Sequence, residues 1–186
     1  DGGSDAHGRP YLVMEYVAGN DLRELVRRNG PFSPADACAI VHEIALGLEH
    51  LHERQMVHRD IKPSNVALGD DRRGKILDLG LGLSRTGGCE TATTADSLPC
   101  LEGTIDFMAP EQALDSRAVT PAADLYSLGA TFYFLLVGES PWAGLSDRDE
   151  KLLALRNARR IHLDKLPPRL PRRVRSCLER LLAHRP

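Results

Sequence analysis

Between Leu125 and Val137 the chain is apolar on nearly every side of a helix, and Gly138 ends the run. A helix with no polar face belongs in the middle of a core, so any fold open to this chain must wrap its other elements around that segment. Thr120-Pro121 opens it, with proline suited to the first helical turn. A second long helix begins at Ser33-Pro34-Ala35-Asp36, where Ser33 can cap, Pro34 fits the first position and Asp36 sits near the positive helix end. Ala37, Ile40, Ile44, Leu48 and Leu51 follow at helical spacing and give that helix one apolar face. Shorter helices are expected over 21–28, ended by Gly30, and over 147–159 and 171–182. Strand material is thin. Residues 1–9 read as a loop, and Tyr11–Val17 as a strand broken by Gly19 and Asn20. Val66-Ala67-Leu68 and Lys75-Ile76-Leu77 read as a hairpin around a six-residue loop. The fold class is α+β with a mainly helical body, and 186 residues suit one domain or one large lobe.

The chemistry-bearing residues crowd onto the loops between Val57 and Gly80. In His58-Arg59-Asp60-Ile61-Lys62-Pro63-Ser64-Asn65, Asp60 is an acceptor, Lys62 a cation two residues on, and Asn65 a neutral oxygen able to meet a metal. A second carboxylate, Asp78, follows the hairpin. Two oxygen ligands and a lysine suit a magnesium–phosphate site, because magnesium prefers oxygen and takes most of its shell from phosphate and water. Asp60 can then accept a proton from an attacking hydroxyl.

The same segment resembles the catalytic loop of protein kinases, H-R-D-x-K-P-x-N. Six fixed positions recur by chance in one chain roughly once in several hundred thousand. Further motifs stand in kinase order: Asp78-Leu79-Gly80 resembles D-F-G, with Leu for Phe. Gly103-Thr104 and Met108-Ala109-Pro110-Glu111 resemble the end of the activation segment, and Asp124-Leu125-Tyr126-Ser127-Leu128-Gly129 the start of the central helix. The chain is thereby identified as a member of the eukaryotic-like (Hanks-type) serine/threonine protein kinases, with a protein-kinase-like fold. The resemblance divides it into the end of a small lobe (1–13), a hinge (14–20) and a large lobe (21–186) truncated at its C-terminus.

The resemblance also implies roles. Asp60 is the base, Lys62 neutralises the transferred phosphoryl group, and Asn65 and Asp78 hold Mg2+ beside ATP. Lys at position 62 is what the serine/threonine members carry. Met14 backs the adenine pocket, Glu15 and Val17 bond the adenine edge through their backbone, Asp21 reaches the ribose, and Ala67 floors the pocket. Thr104 shapes the acceptor site. His58, Arg59, Glu111 and Asp124 give structural support, Asp124 by bonding the catalytic-loop backbone. Arg59 can pair with a phosphate on the polar stretch from Ser84 to Leu101, which makes Thr91, Thr93, Thr94 and Ser97 candidate modification sites; the plainer reading is ordinary loop hydroxyls. The partners expected are ATP and a protein substrate with a Ser or Thr acceptor.

Other readings are weaker. His42-Glu43 begins a zinc-protease motif, but residue 46 is Leu; His50 and His52 read as structural. Cys38, Cys89, Cys100 and Cys177 fit no metal spacing and read as free thiols, a Cys89–Cys100 bridge being the alternative. Eleven Lys or Arg against two Asp or Glu from Lys151 onward could mark a nucleic-acid face, yet no aromatics accompany them, so a solvated helical face is favoured and nucleic acid is not expected. The longest apolar run is too short to span a bilayer, and a cytoplasmic setting is expected, with a membrane anchor elsewhere in the parent still allowed. No Gly-rich loop, strand lysine or partner Glu precedes Tyr11, and the D-P-x-x-R arginine that pairs with Glu111 in kinases is absent. Removing one fixed charge that stabilises a transition state costs on the order of 3 kcal/mol. The chain by itself is therefore expected to transfer phosphate very poorly or not at all, and its intact parent to transfer it. A non-catalytic kinase-like binding or scaffold module is the competing reading, although a scaffold has no chemical need for Asp60, Lys62, Asn65 and Asp78 together.

Overall fold

The computed structural model describes residues 2–69, 73–78, 105–115, 119–145, 147–157 and 159–183. The apolar run from Leu125 forms the last three-quarters of a central helix, α4 (Pro121–Val137; the labels count in chain order), buried on almost all sides from Ala123 to Leu136. Gly138 stops it in the left-handed region at φ 83°, where glycine carries no Cβ penalty. Before it in the chain come β1 (Gly2–Ser4), β2 (Pro10–Leu12), β3 (Gly19–Asp21), α1 (Leu22–Asn29), α2 (Pro34–Glu53), β4 (Val66–Gly69), β5 (Gly74–Ile76) and α3 (Pro110–Leu114); α5 (Arg148–Arg156) and α6 (Arg172–Leu181) follow it.

Helix α2 starts as the sequence requires: Ser33 Oγ accepts from Asp36 N–H at 3.2 Å, with Pro34 in the first turn. Its face of Ala37, Ile40, Ile44, Leu48 and Leu51 joins Leu128, Phe132, Leu135 and Leu136 of α4 in the main core, and Leu178 of α6 closes it from the other side. A smaller cluster of Val57, Ala109, Val119, Ala123 and Tyr126 lies under the base of α4. Burial, and secondarily the charge of Glu111, pushes the Tyr126 phenol far up from its ordinary value. A third cluster, Ile105, Trp142, Ala154 and Leu155, seats α5 beside α3. Among the described residues Cys38 and Cys177 are free thiols; Cys89 and Cys100 lie outside them.

The strands depart from the sequence reading. Residues 2–4 pair antiparallel with 10–12, so the expected loop is a hairpin, and the strand expected over 11–17 stops at Leu12. The supposed break at Gly19-Asn20 is itself a strand: β3 pairs with β4 (Gly19↔Gly69, Asp21↔Ala67), and β4 with β5 (Val66↔Ile76), in the order β3-β4-β5. The glycine serves a close approach. A Cβ at Gly19 would lie 2.1 Å from Leu68 O and 3.0 Å from Leu68 C, both backbone atoms of the partner strand. Gly19→Ala is accordingly expected to cost about 1–3 kcal/mol and to loosen β3 from β4, read as a lower urea midpoint; an unchanged midpoint would contradict this packing.

Candidate active site

The loop between α2 and β4 is held by a buried carboxylate from α4. Asp124, with no exposed surface, accepts Arg59 N–H on Oδ1 at 2.8 Å, and on Oδ2 both His58 N–H at 2.9 Å and His52 Nε2 at 2.8 Å. Since a carboxylate only accepts, His52 presents its Nε2 proton. Arg59 has φ 70°, a strained conformation for a residue with a Cβ. Two anchors keep it there: its N–H on Asp124, and its C=O, which accepts from Gln112 Nε2 of α3 at 2.9 Å. Gln112 Oε1 in turn accepts from Ala109 N–H at 3.0 Å.

His58 joins the loop to the end of β5. Its Nε2 faces Leu77 O at 2.9 Å, and Asp60 N–H points at its Nδ1 at 3.3 Å. A carbonyl accepts only, so Nε2 carries the proton and Nδ1 offers its lone pair. Leu77 N–H also donates to Asn65 O at 2.8 Å, so both backbone groups of Leu77 are gripped by the loop. Asp78 follows directly, exposed and at φ 57°, a region Asp tolerates better than most residues.

Within the loop, Lys62 precedes Pro63 and is extended, as a residue before proline must be, and Pro63–Asn65 then forms a 3-10 turn. Asp60 Oδ2 accepts Lys62 Nζ at 2.7 Å and Asn65 Nδ2 at 2.9 Å; the same Nδ2 donates to Asp60 O at 2.9 Å. Bonding a carbonyl oxygen fixes the amide's orientation, so Asn65 Oδ1 is directed away from these contacts. Asp60 Oδ1 is buried and has no hydrogen-bond partner among the described residues; the same holds for Arg59 Nε.

The structure thus brings Asp60, Lys62 and Asn65 into direct contact, sets Asp78 one residue past a clamped strand end, and ties His58, Arg59 and Asp124 together beneath them. At the other edge, Ala67 is buried in β4 between Asp21 of β3 and Lys75 of β5. Lys75 Nζ pairs with the Glu15 carboxylate at 2.5 Å. Asp21 caps α1, its Oδ1 accepting Glu24 N–H at 2.8 Å. Met14 is 61% exposed and Val17 half-buried. Glu111 is half-buried on α3 and makes no ion pair among the described residues. Thr104, Leu79-Gly80 and the hydroxyls at 91, 93, 94 and 97 lie outside the described residues.

Sequence reasoning missed Gln112 altogether and gave His52 no link to the site. Gln112 stands two residues past Pro110 with nothing in its neighbours to mark it. His52 had one usable signal, its place on the last turn of α2 just ahead of the His58 loop.

The arrangement can hold a carboxylate in a fixed orientation, with one oxygen pinned by a cation and an amide and the other left to accept. The donor set suits Mg2+: an amide oxygen and an exposed carboxylate, with no cluster of three or more His, Cys, Asp or Glu side chains among the described residues, is what an ion completed by phosphate and water requires.

Among known proteins, the family model described as the protein kinase domain matches residues 4–186. The chain is 37% identical over 183 residues to the serine/threonine-protein kinase PknK of Mycobacterium bovis, covering 97% of this chain and 16% of that protein. It is 37% identical over 144 residues to PknL of Mycobacterium tuberculosis, 77% of this chain and 34% of that protein. Against PknB of Mycolicibacterium smegmatis it is 37% identical over 137 residues, 73% of this chain and 21% of that protein. The chain therefore spans about a third or less of the length of these curated relatives.

Proposed function

The chain belongs to the protein kinase domain family, in its serine/threonine branch, and on that premise we propose that the protein containing it transfers the γ-phosphoryl group of ATP to Ser or Thr of a protein substrate. The observation that carries the proposal is the state of Asp60: Oδ2 is held by Lys62 and Asn65, while Oδ1 is buried and partnerless among the described residues. A buried carboxylate oxygen without a donor is costly, and a substrate hydroxyl placed there supplies the missing hydrogen bond and gives up its proton to the same atom.

The remaining roles follow from this. Lys62 places positive charge beside the attacking oxygen. Asn65 Oδ1 and the Asp78 carboxylate would hold Mg2+, which when bound neutralises phosphate charge. Asp124 and Gln112 keep Arg59 in its strained conformation, and His58 keeps the loop on the strand that leads to Asp78. The hinge over 14–20 would receive the adenine at Met14, Glu15 and Val17, with Ala67 beneath it and Asp21 by the ribose, between a small lobe ending at 13 and a large lobe from 21. Thr104 would line the acceptor pocket, Glu111 would brace α3, and the buried Arg59 Nε would answer a phosphate on the activation segment. No helix among the described residues is long and apolar enough to cross a membrane, and a cytoplasmic site of action is part of the proposal.

The test is phosphotransfer by the full-length protein from labelled ATP to a generic acceptor protein, with and without Mg2+, followed by phosphoamino-acid analysis. Mg2+-dependent phosphoserine or phosphothreonine is expected. Label on tyrosine alone, or nucleotide binding without any transfer, would overturn the proposal; the second result would favour a scaffold.

A further inference from the structure

The C-terminal part of the chain is charged out of proportion to the rest. From Lys151 onward there are eleven Lys or Arg and two Asp or Glu, which leaves thirteen basic and twenty-four acidic side chains in residues 1–150. Both lysines of this part are used inside the fold, Lys151 Nζ on Asp106 Oδ1 at 2.8 Å and Lys165 Nζ on Glu139 Oε2 at 2.6 Å. Two of the arginines donate to backbone carbonyls, Arg156 Nε to Ala113 O at 3.1 Å and Arg175 Nη1 to Leu163 O at 3.5 Å, but five others carry no such contact among the described residues. Arg159, Arg160, Arg169, Arg172 and Arg173 are exposed, and none has a carboxylate within ion-pair distance among the described residues.

Three of them fall within five residues of chain, Arg169 to Arg173. Leu170 N–H closes a turn on Pro167 O at 3.0 Å immediately before α6, so Arg169 precedes Arg172 and Arg173 by one short turn. Arg175 Nη1 reaches Leu163 O at 3.5 Å and holds the start of α6 against the segment that begins with Arg159 and Arg160. Arg172 and Arg173 also stand in the first turn of α6, where no acid and no side-chain cap offsets them. Positive charge at the positive end of a helix opposes folding. Among the described residues, Arg159, Arg160, Arg169, Arg172 and Arg173 have no ion pair that the fold itself supplies.

We propose that this arginine face docks an acidic polypeptide segment, rich in Asp and Glu, of a partner protein. Charge complementarity selects the sign, and the planar guanidinium fork, which grips a carboxylate with two parallel hydrogen bonds, selects the chemistry. The region from 151 to 186 contains no Phe, Trp or Tyr, the larger rings on which nucleic-acid bases stack. The apolar residues of α6, Val174, Leu178 and Leu181, are packed into the core, so the helix has no apolar face left to enter a bilayer.

The test is fluorescence anisotropy of a labelled peptide of about ten Asp and Glu residues, titrated with the full-length protein and with its R169E/R172E/R173E variant at two salt concentrations. Wild-type binding should weaken with salt, and reversal should raise Kd at least about tenfold. Reversal also places acids at the start of α6, so circular dichroism and the thermal midpoint should show an intact or firmer fold. Should the triple reversal fail to fold, R169Q/R172Q/R173Q carries the same comparison. Unchanged peptide affinity in the variants overturns the proposal. So does tighter binding of the wild type to duplex DNA, or to phosphatidylserine-containing vesicles, than to the peptide. Phosphotransfer is not read in this experiment, so its outcome is independent of the activity proposed above.

Discussion

Replacing Asp60 by Asn in the full-length protein is expected to lower kcat by about 10²- to 10⁴-fold, the range that one general base contributes. The geometry makes this a clean substitution. Lys62 Nζ and Asn65 Nδ2 both donate to Oδ2, so an asparagine at 60 must turn its only acceptor oxygen toward them. Its NH2 group then occupies the place of Oδ1, where it donates instead of accepting. The side chain keeps its shape and both hydrogen bonds, and the loop keeps its fold, but the proton of the acceptor hydroxyl has no place to go. The KM for ATP should change little, because the role proposed for Asp60 lies on the acceptor side of the reaction. A phosphotransfer assay with both enzymes at saturating ATP, paired with urea melts, reads both halves of the expectation. Equal kcat in the two proteins would remove Asp60 from the chemistry; a collapsed melt would mean that its loss disrupts structure and not proton transfer.

Asp124→Ala is expected to be the most damaging single change to stability at the site, at about 3–5 kcal/mol. The wild-type carboxylate satisfies three donors with no contribution from solvent: two backbone N–H groups and an imidazole. Alanine leaves all three without an acceptor, and a buried stranded donor costs about 1–3 kcal/mol. Arg59 loses one of the two anchors that hold it at positive φ, so the strain adds to the cost. Asp124→Asn should fall between, since one amide oxygen serves some of the donors while the NH2 group faces the rest. Urea unfolding of the three proteins should give midpoints in the order Asp, Asn, Ala. A loss below about 1 kcal/mol for alanine would show that water replaces the carboxylate and that it does not hold the loop.

What the sequence discloses follows a physical line. Helix α4 is legible because burial on all sides demands apolar residues all round, and α2 because Ser33, Pro34 and Asp36 state its start locally. The meeting of Asp60, Lys62 and Asn65 is legible because those residue types stand at a fixed, recognisable spacing. Strand β3 is not, since its hydrogen bonds come from a partner fifty residues away, Gly19 opposite Gly69, and a glycine chosen for close approach looks the same as a glycine chosen for a break. The β1–β2 hairpin escaped for a related reason: Gly2-Gly3-Ser4 and Pro10-Tyr11-Leu12 show no hydrophobic alternation over a usable length, and only pairing defines it. Gln112 escaped because its role depends on meeting the carbonyl of Arg59, which no periodicity encodes.

The clamp of Asp124 on His58 and Arg59 has a consequence for how the molecule breathes. Surface loops ordinarily open on their own, far below the free energy of global unfolding. Here the amide protons of two loop residues are locked to a carboxylate on the most deeply buried helix, so they can meet solvent only when that helix lets go. In deuterium they should exchange as slowly as the heart of the protein, making this loop kinetically part of the interior.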